Sequence, residues 1–210
     1  MSSSQQPQQS FVRAGGHRLE LERIDGDATR PTLVFLHEGL GSVSMWREFP
    51  AWAAAATDCP AVVYSRYGYG GSDVLEGPFA VDYMHREALE TLPELLARLG
   101  IERPILVGHS DGASIALIYA GSRAGSRGLV ALAPHVFVED ISVQSIAEAK
   151  VAFETTELPE KLARHHADVR KSFYGWNEIW LHPDFRRWNI EAFLPGIRCP
   201  VLAIQGAEDE

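Results

Sequence analysis

The chain of 210 residues is 46% hydrophobic and 22% charged, the balance of an ordinary globular domain with enough apolar side chains for a substantial core. Its formal net charge of -9 excludes a polyanion partner, since phosphate-backbone binding is built on clustered Lys and Arg, so no nucleic acid is expected. No apolar run reaches the roughly eighteen residues of a membrane span, and the isolated Cys59 and Cys199 lack metal-ligand spacing. Neither a membrane span nor a cysteine metal site is therefore expected, and the reducing cytoplasm is the expected compartment.

Met1 to Ser10 is Ser/Gln/Pro-rich, which fits neither a secretory signal nor an anchor and predicts a tail without fixed structure. Phe11 to Ala14 and Leu19 to Ile24 read as a hairpin around Gly15-Gly16, with Leu19, Leu21 and Arg23 on alternate positions. Thr32 to His37 is a continuous apolar run, as in a strand buried on both faces, and Ala61 to Ser65 is another. Between them Met45 to Ala56 predicts a helix. From Val81 to Leu99 the apolar residues fall near a helical period, with Pro93 expected to kink the helix or begin a second segment. Pro104 to Val107 is a strand, Asp111 to Gly121 a helix and Leu129 to Ala133 a strand. His135 to Asn189 is then polar, helix-rich and aromatic, and Pro200 to Gln205 returns to a strand pattern. The alternation predicts a mostly parallel sheet covered by helices. The expected division is a core of residues 11–134 and 190–210 with a helical lid inserted at 135–189.

Three glycine-rich segments follow predicted strands. In Gly108-His109-Ser110-Asp111-Gly112 a serine lies between two glycines where a β-branched run stops and an Ala-rich helix begins, the pattern of a nucleophile elbow. Phe35-Leu36-His37-Glu38-Gly39-Leu40-Gly41-Ser42 can aim backbone N–H groups outward, which a developing oxyanion requires, although a plain strand-terminating loop has the same composition. Arg66-Tyr67-Gly68-Tyr69-Gly70-Gly71-Ser72 reads as a structural turn.

With these segments in this order, the sequence resembles the α/β-hydrolase family from about Phe11 to Glu210. The resemblance implies an α/β-hydrolase fold and a serine hydrolase without a cofactor. Its substrate would be a small, largely apolar ester, or a C–C bond next to a carbonyl. Ser110 is then the nucleophile, with the backbone N–H groups of Asp111 and Gly39 as the oxyanion hole. Because Asp111 acts here through its main chain, Asp111→Asn is expected to do little. Glu38, Leu40, His109 and His135 are candidate pocket residues. Glu38 stands where glycine is commoner; it could point away, meet a cationic substrate group or, the preferred reading, be an ordinary surface residue. His109 reads as a packed neighbour of the elbow and His165-His166 as solvated lid residues. The lid aromatics would either receive a hydrophobic substrate group or pack the lid on the body.

In this family the acid and then the histidine follow the serine along the chain. Asp209, in Gly206-Ala207-Glu208-Asp209, matches the acid, and the last histidine is His182, so the family's catalytic histidine has no counterpart. A final strand, the histidine loop and a closing helix are expected to be missing. Two readings follow: a fragment of an active serine hydrolase, or a naturally shortened, non-catalytic protein that binds a small molecule or partner. Loss of the base costs about a millionfold in a related triad, so the polypeptide is expected to be nearly inert. A rescue would need Glu139 or Asp140 as acid and His165 or His166 swinging in as base. Val201 to Gln205 would form an apolar edge strand inviting self-association.

Overall fold

The computed structural model describes residues 10–123 and 125–207. A seven-stranded sheet forms the centre, in the order β1-β2-β4-β3-β5-β6-β7. β1 (Ser10–Ala14) and β2 (His17–Ile24) make the hairpin, and β2 runs antiparallel to β4 (Ala61–Tyr64). The hairpin turns on Gly15 and Gly16, both at positive φ, the conformation that lets a two-residue turn follow the twist of its strands. β3 (Leu33–Leu36), β4, β5 (Ile105–His109), β6 (Gly128–Leu132) and β7 (Val201–Ile204) are parallel. Ser10 belongs to β1 and not to the expected tail; residues 1–9 and Asp209 lie outside the described residues.

Alternation along the central strands builds two cores. Val34, Leu36, Val62, Tyr64 and Leu106 face one side, packed by α2 (Tyr83–Arg86), α3 (Leu92–Leu99) and the almost wholly buried α4 (Asp111–Ser122). Leu33, Phe35, Val63 and Val107 face the other, where α1 (Phe49–Thr57) contributes Ala54. Leu36 pairs with both Tyr64 and Gly108, so β3, β4 and β5 end level. The loops at 37–42, 65–72 and 109–112 therefore lie side by side at the carboxyl edge, the usual place for a site in an open α/β sheet.

Two helices differ from expectation. The Met45 to Ala56 helix is divided into a 3-10 turn (Val43–Trp46) and α1, because Arg47 takes φ 52° and Pro50 is suited to the first turn of a new helix. The helix around Pro93 does not break. Pro93 has no N–H to give the preceding turn, and a π-helical stretch at Glu87–Thr91 joins α2 to α3.

Between β6 and β7 the chain forms α5 (Asp140–Thr155), α6 (Leu158–Leu162) and α7 (Val169–Leu181). Its two ends meet: Phe137 and Asn189 form an antiparallel bridge, and the Ile190 N–H donates to the Val136 carbonyl at 2.8 Å. Phe153 stacks on Phe173 at 3.8 Å to hold α5 against α7, whereas Trp180, Phe185 and Trp188 are buried in the core of the body. β7 stands at one edge of the described sheet, opposite β1, with Val201, Leu202 and Ile204 exposed by 46%, 56% and 45%. No helix among the described residues is long and apolar enough to cross a membrane.

Candidate active site

Ser110 sits between the end of β5 and the start of α4 at φ 51°, ψ −119°, a backbone conformation that a residue with a Cβ rarely adopts. The chain can make this corner because its neighbours are glycines. A Cβ at Gly112 would collide with the Leu36 carbonyl, and one at Gly108 with the backbone of Gly112 and Ala113. The Ser110 N–H donates to the Leu132 carbonyl at 2.9 Å, tying the corner to β6. A second non-glycine residue at positive φ, Ala133 (46°), lies just beyond β6 and borders the same cavity.

That cavity holds about 490 Å³. Ser110, Glu38, Gly39, Leu40, His109 and His135 all line it, together with Trp176 of α7, Glu139 and Gln205. The structure thus brings Ser110 together with five of the expected site residues, whereas Asp111, expected beside them, is buried at the start of α4 and is not among the residues lining the cavity. Ser110 Oγ lies 3.3 Å from His135 Nε2. His135 is held through its backbone by Ser114 one helical turn beyond the serine: its N–H donates to Ser114 Oγ at 3.1 Å, and that hydroxyl donates to its carbonyl at 2.6 Å. Its ring meets Trp180 edge-on, 4.9 Å between centroids. A second cavity of about 420 Å³, bordered by His17, Tyr67, Phe79 and Glu87, does not include Ser110.

The loop after β3 is held by polar groups that sequence reasoning did not single out. The Arg66 N–H donates to His37 Nε2 at 2.9 Å, which leaves the imidazole proton on Nδ1, and Nδ1 donates to the Glu38 carbonyl at 2.6 Å. Arg66 Nη2 donates to that carbonyl at 2.8 Å and to the His37 carbonyl at 3.3 Å. Burial, reinforced by the Arg66 charge, holds His37 neutral, its pKa well below the usual imidazole value. His166 accepts from the Gly70 N–H at 3.0 Å and donates to the Leu40 carbonyl at 2.9 Å; burial lowers its pKa too. A Cβ at Gly39 would collide with the Trp176 indole, so the loop and α7 meet where only glycine fits.

Four expectations are corrected here. Glu38 is not a surface residue: it borders the cavity, and its carboxylate accepts from His109 Nδ1 at 3.4 Å. Burial alone would raise its pKa, but the His109 hydrogen bond and the Arg66 charge outweigh that and hold it below the ordinary carboxylate range. His166 is buried, not solvated, and both its nitrogens are engaged by backbone, while His165 Nδ1 bonds Ser44 Oγ at 2.8 Å. Neither stands at Ser110, and Asp140 is paired with Arg186, which removes the rescue by a base from this segment. Finally, the Asp111 side chain matters. It is 1% exposed, 3.8 Å from the equally buried guanidinium of Arg66, and accepts from the Tyr83 hydroxyl at 2.6 Å. The cue was a cation ending a buried strand and a carboxylate inside an otherwise apolar helix.

A family profile described as "Alpha/beta hydrolase family" matches residues 33–208. Over 159 residues the chain is 28% identical to the sn-1-specific diacylglycerol lipase ABHD11 of Mus musculus, covering 73% of this chain and 48% of that protein. Over 125 residues it is 35% identical to the 2-succinyl-6-hydroxy-2,4-cyclohexadiene-1-carboxylate synthase of Klebsiella pneumoniae (strain 342), covering 55% of this chain and 43% of that one. The chain thus matches about half the length of these two relatives. Among solved structures, a carboxylesterase from Nitrososphaera gargenis superposes with a TM-score of 0.72 at 18% identity, over 95% of this chain and 81% of its own. The profile match spans most of the chain, both glycine-rich loops and the elbow: the chain belongs to the alpha/beta hydrolase family.

Proposed function

We propose that the protein is a serine hydrolase acting on a small, largely apolar ester, or on a C–C bond next to a carbonyl, through an acyl-enzyme at Ser110. One observation carries this reading: Ser110 is held at a strained strand-to-helix corner, bordering a cavity that the Gly39 loop also lines. In the proposed step the Ser110 oxygen bonds the substrate carbonyl carbon as its proton passes to a base. The carbonyl oxygen takes up negative charge and is met by the N–H groups of Gly39 and Asp111. The bond to the leaving alcohol or carbon then breaks as the base gives its proton to that leaving group, and water, passing a proton to the base, adds to the acyl carbon and releases the acid as Ser110 takes the proton back. An N–H at the start of α4 suits this role because the first turn of a helix has no intrahelical acceptor for its donors.

Asp209 remains the proposed acid. The family's histidine has no counterpart in these 210 residues, and the imidazole at the nucleophile is His135. The proposal therefore gives this polypeptide slow acylation. α5 to α7 act as a lid whose Trp176 borders the acyl site, the substrate is a small molecule, and the two free cysteines support a cytoplasmic setting. A lipase and a carboxylesterase among the similar proteins support ester chemistry.

Labelling by a fluorophosphonate probe, with Ser110→Ala as control, tests the reading. Slow labelling that disappears in Ser110→Ala is expected. Equal labelling of both chains would remove Ser110 as the nucleophile and leave a non-catalytic protein that binds a small molecule or partner.

A further inference from the structure

The two N–H groups proposed for the oxyanion come from separate segments, so their mutual aim must be set by something that touches both. A peptide unit is planar and trans, so the Glu38 carbonyl and the Gly39 N–H point in opposite directions. Whatever grips that carbonyl aims that N–H. Besides the Gly41 N–H, which donates to it within the turn at 3.1 Å, Arg66 grips it twice: directly through Nη2 at 2.8 Å, and indirectly by donating its own N–H to His37 Nε2, which fixes the tautomer whose Nδ1–H reaches the same oxygen. The same Nη2 faces Asp111 Oδ2 at 3.8 Å, and Asp111 is the residue whose backbone offers the second N–H.

We infer that the buried Arg66–Asp111 pair is a positioning device that sets the Gly39 N–H against the elbow, an inference that rests on the reading of Ser110 as nucleophile. The pair is placed for direction more than for cohesion. A buried ion pair adds little net stability over apolar side chains of similar volume, yet this one ties two loops of different strands through main-chain atoms. Asp111 is in turn held still: Tyr83 donates to it at 2.6 Å, and Trp180 Nε1 of α7 donates to the Tyr83 hydroxyl at 3.2 Å. Arg66 and the Asp111 carboxylate act through the loop and touch no substrate.

The test compares the wild-type chain with Asp111→Asn and Arg66→Lys in two measurements. The first is hydrolysis of p-nitrophenyl acetate, corrected for the Ser110→Ala background; the second is amide hydrogen exchange. A misplacement of about 1 Å in a reacting group can cost about a hundredfold, so kcat is expected to fall by about 10- to 100-fold with KM within about twofold. Exchange at Gly39 and Leu40 is expected to quicken by about tenfold while the amides of β3, β4 and β5 keep their protection. Unchanged kcat and unchanged loop exchange would overturn the inference, as would a uniform loss of protection across the sheet, which marks general destabilisation. If either variant does not fold, Tyr83→Phe removes one support of Asp111 and should shift both readouts in the same direction by a smaller factor; no shift overturns it. Absence of Ser110-dependent turnover in the wild type would defeat the hydrolase reading alone, and loop exchange would then decide the role of the pair.

Discussion

Ser110 Oγ and His135 Nε2 stand 3.3 Å apart although the two residues end different strands, because Ser114 of α4 bonds both the N–H and the carbonyl of His135. The separation is slightly longer than the roughly 2.6–3.2 Å of an effective proton transfer, and such contacts tighten when substrate binds. His135→Phe is therefore expected to slow fluorophosphonate labelling of Ser110 by about 100-fold, the lower end of what general-base catalysis supplies. A labelling time course for the two chains checks it; equal rates would leave His135 as a wall of the cavity.

Asp111→Ala leaves Arg66 buried with its nearest carboxylate gone, a change that costs about 3–5 kcal/mol when an ion pair is broken from one side. Urea unfolding should show that loss. Asp111→Asn, which keeps an acceptor for Tyr83, should cost less.

Ser110→Gly removes the Cβ at a φ of 51°, where non-glycine residues are strained by about 1–2 kcal/mol. The variant should be more stable than the parent by about 1 kcal/mol and show no Ser110-dependent labelling. A lowered unfolding midpoint would mean that the hydroxyl contributes more than the strain costs.

His37 and His166 are both neutral in the fold, with pKa values below the ordinary 6.5 because they are buried. The unfolded chain binds protons at these two sites as pH falls through about 6.5, and the folded chain does not. Stability is thus fully present above that pH and declines below it, until the folded-state values are reached. Two such groups give a slope of up to about 2.7 kcal/mol per pH unit. Burial lowers the pKa of His85 as well, adding to the same slope; chemical unfolding between pH 7.5 and pH 5 should reveal it, and His166→Gln should remove part of it.

β7 leaves Val201, Leu202 and Ile204 about half exposed, on both of its faces. Unpaired edges of this kind promote association. Light scattering of the 210-residue polypeptide should give masses above 23.2 kDa, and Leu202→Lys should lower them. A monodisperse monomer for the parent chain would contradict this.

The individual strands and the elbow were legible because both are written locally: continuous apolar runs mark strands covered on both sides, and a corner packed against the Leu36 carbonyl admits only glycine at position 112. The support of the loop after β3 was not legible. Arg66 and Asp111 are 45 positions apart, and nothing near either one announces the other. His166, though not its neighbour His165, was misjudged for a related reason. The two lie in a turn after α6, where neighbouring side chains diverge, one to Ser44 and the other to Gly70 and Leu40. The π turn was invisible for a third: Pro93 signals a disturbed helix without saying whether the axis bends or a turn widens.

The burial of Trp180, Phe185 and Trp188 bears on how such a protein diversifies. A segment inserted between two strands invites exchange with a relative's, as a detachable cassette. These three side chains argue otherwise, since they complete the core that α2 and α4 build on the sheet. A transplanted segment would have to bring aromatic rings that fill the same space, or the host would need new residues beneath it. Variation in substrate choice is thereby steered toward positions such as Ile141 and Trp176, which border the cavity without closing the core.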